Sequence, residues 1–147
     1  MAAYYATDTT ALDSTADTAL NVTANASTAH IIYLEEIHAS FAAAADNVIT
    51  LTVGRTTTAG TGDSPTIEPV NPVDRAAQAV ATGNLSAEPT YGDTVFELDL
   101  YQRLNLIYKT PITRPWIGVA TTNNGFGGKA PHASLTSDYR VSFVWHE

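Results

Sequence analysis

Cysteine does not occur in this chain. Disulfides and thiolate metal sites are therefore excluded, and the redox compartment leaves no trace in the sequence. Lysine is nearly missing too: Lys109 and Lys129 stand beside five scattered arginines, against 15 Asp and Glu. The formal charge of -8 argues against nucleic acid as partner, because displacing counterions from phosphates needs clustered Lys and Arg. Such a surface keeps a protein in solution or suits it to a basic partner. No apolar run approaches the ~20 residues that span a bilayer, so no membrane partner is expected. The N-terminal Met1-Ala-Ala-Tyr-Tyr-Ala-Thr-Asp8 has neither a basic n-region nor an apolar h-region. No secretion signal is expected, and synthesis is assigned to a cytoplasm. Helical periodicity is almost missing, and no repeat at fixed spacing points to a solenoid or propeller.

What is present is a series of short alternating segments. The 147 residues, 44% hydrophobic, suffice for one domain with a real core. Residues 48–55 give the cleanest strand, with Ile49, Leu51 and Val53 on one face and Thr50 and Thr52 on the other. Residues 139–145 alternate equally well, Tyr139, Val141, Phe143 and Trp145 against Arg140, Ser142 and His146. Residues 30–41 put Ile31, Tyr33, Ile37, Ala39 and Phe41 on one face, with Glu35 as an intruder. Residues 94–101 alternate Phe96, Leu98 and Leu100 against Val95, Glu97 and Asp99. Residues 104–109 and 116–122 read as further strands, the latter with Ile117 and Val119 facing together. Between them, 42–47 is a connection, 56–63 a loop or hairpin tip, and 65–73, with Pro65, Pro69 and Pro72, extended or edge-like. Residues 74–81 predict one or two helical turns capped by Asp74, and 83–93 and the glycine-rich 123–131 predict loops. Residues 1–28 are small and polar, with Leu12, Leu20 and Val22 isolated, and predict an arm ordered by its partners. Six to eight short strands with long, unequal connections indicate an all-β, jelly-roll-like antiparallel β-sandwich over 29–147, with an extended N-terminal arm over 1–28.

No constellation supports catalysis. His30 and His38 share a strand face about 26 Å apart, and His132 and His146 bring no second ligand at metal spacing. Glu35 and Glu36, adjacent on a strand, are expected on opposite faces and so form no dyad; Glu35 is expected to pair with Arg55 or Arg140. Gly125-Phe-Gly-Gly-Lys129 lacks the Ser/Thr and the helix start of a phosphate loop. No Gly-x-Ser-x-Gly elbow surrounds a serine, and Asp63 and Asp74 lie in no EF-hand pattern. Tyr4, Tyr5, Tyr33, Tyr91, Tyr101, Tyr108, Trp116 and Trp145 suit a sugar-binding face, but strand positions favour core or interface packing. Hence no catalytic, cofactor or metal residues are assigned, and no cofactor is expected.

Several segments carry a resemblance. They are the strand ending in Arg55 with its threonine/glycine turn (51–62), the Pro/Asp-rich crossing (69–75) and Ala87-Glu-Pro-Thr90. The Gly-containing strand 117–120 and the last strand ending on Glu147 complete it. Over about 31–147 their order resembles small structural proteins of tailed bacteriophages, of the jelly-roll capsid decoration (cement) or head-fibre type. The resemblance implies a non-enzymatic virion component, a homotrimer on the capsid exterior that binds the major capsid protein or another virion protein. Tyr4, Tyr5 and residues 123–131 would be the first positions to mutate for assembly. The alternatives are a carbohydrate- or receptor-binding module of a phage fibre or tail, and a hydrolase on a jelly-roll scaffold.

Overall fold

The structure, a computed structural model, describes residues 1–11, 18–42, 46–111, 113–132 and 137–147. The alanine run of the 42–47 connection falls mostly outside them. Twelve strands occur among the described residues: β1 (Ala3–Ala11), β2 (Thr18–Ala24), β3 (Tyr33–Phe41), β4 (Val48–Thr56), β5 (Thr61–Asp63), β6 (Glu68–Pro69), β7 (Ala79–Ala87), β8 (Tyr91–Tyr101), β9 (Leu106–Lys109), β10 (Trp116–Ile117), β11 (Gly125–Lys129) and β12 (Asp138–His146). No helix is found among those residues.

The pairing is nested. β1 pairs with β12, β2 with β11, β3 with β9 and β10, and β4 with β8, all antiparallel. A long hairpin whose first strand meets its last, rolled so that the chain passes between two sheets, is a jelly roll. Sheet I runs β10-β3-β12-β1-β6, with β9 also on β3, and sheet II runs β5-β7-β2-β11-β4-β8. The inward residues of the clearest strands fill the space between. Ile49, Leu51 and Val53 of β4 and Tyr139, Val141, Phe143 and Trp145 of β12 are all buried. The Tyr4 and Trp145 rings lie 6.0 Å apart. Fully burying side chains of this size contributes about 1.5–3 kcal/mol each.

The arm expected over 1–28 is not separate from the sandwich. β1 lies between β12 and β6, and β2 between β11 and β7. Tyr4 is fully buried, and so is every residue of β2. Leu20 and Val22 join the core, while Asn21 points the other way, beneath the connection that follows β4. There its amide donates to Thr56 Oγ1 and to the Phe126 carbonyl, both at 3.0 Å, and accepts from the Gly60 amide at 3.1 Å. A polar residue so bonded is a buried residue, which is why composition alone made this stretch look solvated.

The glycine-rich segment is likewise no loop. β11 is an interior strand between β2 and β4. A Cβ on Gly127 would stand 2.5 Å from the Tyr91 hydroxyl, and one on Gly128 2.8 Å from Val141. The glycines let neighbours close over both faces of the strand. The helical turns expected at 74–81 are not formed: residues 74–78 are irregular and β7 takes 79–81 and part of the loop expected at 83–93. Its inward positions are Ala79, Ala81, Gly83 and Leu85, mostly too small to advertise a period of two. The turn at Asn71 closes through the Asp74 amide, 2.9 Å from the Asn71 carbonyl.

Residues 57–90, between β4 and β8, form a side excursion from the roll. β7 extends sheet II beyond β2, β5 extends it further, and β6 adds to β1 on sheet I. Pro69 occupies an edge strand, as its missing N–H demands. The Glu147 carboxylate pins the excursion, accepting from the Gln78 and Ala79 amides at 2.8 Å each. The opposite edge, formed by β8 with β9 and β10, is open. Phe96, Tyr108 and Trp116 bridge the sheets there, with ring centroids 4.7 to 5.8 Å apart. Arg55 Nε donates to the Ile117 carbonyl at 2.9 Å across the same edge. Ile117 and Val119 face out, 48% and 58% exposed, and Gly118 faces in against Phe126.

Candidate functional site

The outer face of sheet I gathers most of the polar side chains that have chemistry to offer. Its rows follow from the register. Thr9, Arg140 and Ser40 lie side by side, then Thr7, Ser142, His38 and Ile107, then Tyr5, Val144, Glu36 and Lys109. One irregularity decides the lower end of the face. β12 pairs Val144 with Glu36 but Trp145 with Leu34, so Glu35 is the extra residue of a β-bulge. Leu34 and Ile37 are both buried, with two residues between them instead of one. The inward set is therefore Ile32, Leu34, Ile37 and Ala39, and the expected set beginning Ile31 and Tyr33 holds only beyond the bulge. The bulge also overturns the expectation that Glu35 and Glu36 point to opposite faces: both flank the inward Leu34 and Ile37 and stand on the outer face.

The two carboxylates have separate partners. Glu35 Oε2 is 2.8 Å from His146 Nε2, not paired with Arg55 or Arg140. Glu36 takes Lys109 Nζ at 2.7 Å on one oxygen and His38 Nε2 at 3.0 Å on the other. Burial pushes the Glu36 carboxyl up, but its bonds to Lys109 and His38 and their charges outweigh that, and its pKa is lowered overall. Higher on the face, Ser142 donates to Thr7 Oγ1 at 2.8 Å and Tyr5 lies 3.3 Å from Ser142. Arg140 Nε donates to Thr9 Oγ1 at 3.2 Å.

Two shallow cavities adjoin across Arg140 and Ser40. One, of about 210 Å³, is lined by Thr9, Phe41, Asp138 and Tyr139 besides those two. The other, of about 120 Å³, adds His38, Asn105, Ile107 and Ser142. A third, of about 190 Å³, lies at the far end of the molecule between Arg55, Asp93, Val119 and Gly125.

Of the other residues weighed from sequence, His30 lies 3.9 Å from the buried Glu147 carboxylate, well away from His38. Asp63 accepts from Asn84 at 3.1 Å. No three His, Asp or Glu among the described residues are grouped to hold a metal ion. Tyr4 is in the core and Gly125–Lys129 is an interior strand, so changes there would test folding, not assembly. Lys129 Nζ sits 4.3 Å above the Tyr91 ring, a cation–π contact rather than a phosphate-loop lysine. The outward Arg140, Ser142 and His146 were legible as one side of β12. Their neighbours on β1 and β3 were not, because strand pairing is not written locally in sequence.

No family model matches the chain, and neither a curated protein nor a solved structure matches it significantly.

Proposed function

We propose that this is a non-enzymatic virion structural protein, a capsid decoration or cement protein that self-associates as a trimer and binds the major capsid protein. The observation that carries the reading is the open edge. Val48, Leu98, Tyr101, Leu104, Ile107, Ile117 and Val119 are between 40% and 66% exposed, and all sit on or beside β8, β9 and β10. Large apolar side chains collected in one region of the surface mark contact sites. The net charge of -8 suits an outer position better than one facing packaged DNA. Contacts made only on the assembled shell would stabilise it by mass action.

The test combines light scattering with co-sedimentation on shells of the candidate capsid protein. Leu104→Asp with Val119→Asp places two charges on the open edge at residues more than half exposed, so the fold is expected to survive. Wild type is expected at trimer mass and in the shell pellet, and the variant as a folded monomer left in the supernatant. A wild type that is monomeric and fails to sediment would sink the reading.

A further inference from the structure

We propose that the outer face of sheet I binds an acidic saccharide, with Arg140 as the anchor for its carboxylate. Arg140 has unused hydrogen-bonding capacity. Arg140 spends Nε on Thr9 Oγ1 and has no other partner among the described residues. Both terminal amino groups of the guanidinium are left, and they form the fork that grips a carboxylate through two parallel bonds. Elsewhere on this face the cation Lys109 is neutralised by Glu36 at 2.7 Å; Arg140 is not.

Its position matters as much as its charge. Arg140 and Ser40 belong to both cavities, of about 210 and 120 Å³, which open side by side along β3 and β12. Around them stand the hydroxyls of Thr9, Ser40 and Ser142, the Asn105 amide and the His38 imidazole. Phe41 and Ile107 provide apolar walls. Asp138, exposed in the larger cavity, has no side-chain partner among the described residues. A site with a free guanidinium and a free carboxylate is selective. A phosphate dianion would meet the first but, with twice the charge of a carboxylate and no array of hydroxyls to donate, be repelled more strongly by the second. A neutral sugar would satisfy the second and leave the first idle. A ligand with one carboxylate and several hydroxyls satisfies both: the carboxylate lies on Arg140 and the hydroxyls donate to Asp138. A uronic acid or its oligomer has that chemistry. Shallow, open cavities give weak binding, about millimolar for one ring, and repetition on an oligomer would raise it.

Ile107 borders both surfaces, but Arg140 lies outside the open edge, so Arg140→Gln tests the saccharide site while leaving the self-association contacts in place, and the two readings fail separately. The experiment is an NMR titration of the isotope-labelled protein with a glucuronic-acid tetrasaccharide. Parallel titrations use a glucose tetrasaccharide and inorganic phosphate. Saturable shifts are expected at the amides of residues 40, 105, 140 and 142 with the uronate, with affinity at least tenfold below it for both controls. Arg140→Gln, at an exposed position, is expected to keep the amide spectrum of the fold and lose at least tenfold in uronate affinity. Arg140→Lys is expected to fall between, because an ammonium keeps the charge and loses the fork. The proposal is overturned if the uronate causes no saturable shifts or if glucose or phosphate binds as tightly. An Arg140→Gln variant that binds as well as wild type would overturn it equally.

Discussion

A carboxylate held between a lysine and a histidine on a sheet face stays ionised further into acid than one in water. Glu36 is in that position, 22% exposed, with Lys109 and His38 on its two oxygens, and its pKa is lowered from the ordinary 4.5. A group depressed in the folded state contributes stability that is fully present above its unfolded value. That contribution is lost as pH falls through the folded one. Denaturant unfolding of wild type is therefore expected to show stability declining from about pH 5 to 3. Glu36→Gln should give a shallower decline over the same interval, with a loss at neutral pH of only about 0.5–1 kcal/mol, since Lys109 is well exposed. Parallel pH profiles for the two proteins would remove Glu36 from the account. The same local reading explains why Asn21 and Gly127 escaped sequence analysis. A buried amide with its bonds satisfied, and a glycine that a tyrosine hydroxyl leans on, look by composition like parts of a loop.

At the scale of strands, side-chain size decides what a sequence discloses. β4 and β12 were legible because their inward residues are large: Ile49, Leu51 and Val53, and Tyr139 to Trp145. β2, β7 and β11 were not, because their few large residues, Leu20, Val22, Leu85 and Phe126, stand among Ala, Thr, Asn and Gly that pack closely without an alternation of bulk. β3 was half legible, since its alternation is broken where Glu35 bulges. That bulge yields a sharp contrast. Deleting Glu35 leaves Leu34, Glu36 and Ile37 in ordinary in-out-in sequence, so both buried residues keep their face. The deletion is expected to fold cooperatively, with a modest loss from the missing Glu35–His146 pair. Deleting Thr50 from the middle of β4 turns half of that strand over, sending core residues to solvent. It is expected to abolish the cooperative transition and the near-UV circular dichroism of the buried aromatics. Equal damage from both deletions would mean that the bulge is not what sets the two faces.

The whole molecule has two unlike edges, and this bears on how copies would meet. β8, β9 and β10 form the open one, and the excursion between β4 and β8 covers the other. β8 carries Asp93, Glu97 and Asp99, all exposed. Two copies joined β8 to β8 about a two-fold axis would bring these carboxylates together, which natural edge strands use as a bar to self-pairing. The covered edge has exposed Val70 and Val73, at 60% and 85%, flanked by Glu68, Asp74 and Arg75. Two unlike apolar edges can meet head to tail, and head-to-tail contacts close into rings such as a trimer. The consequence can be read by mixing. A variant with Leu104→Asp and Val119→Asp has lost its open edge, and one with Val70→Asp and Val73→Asp its covered edge. Each alone is expected to be monomeric by native mass spectrometry. Mixed, they are expected to give one-to-one dimers, because the intact covered edge of the first meets the intact open edge of the second. Association through the open edge alone would leave the Val70/Val73 variant fully assembled by itself and the mixture no different, and the head-to-tail arrangement would fall.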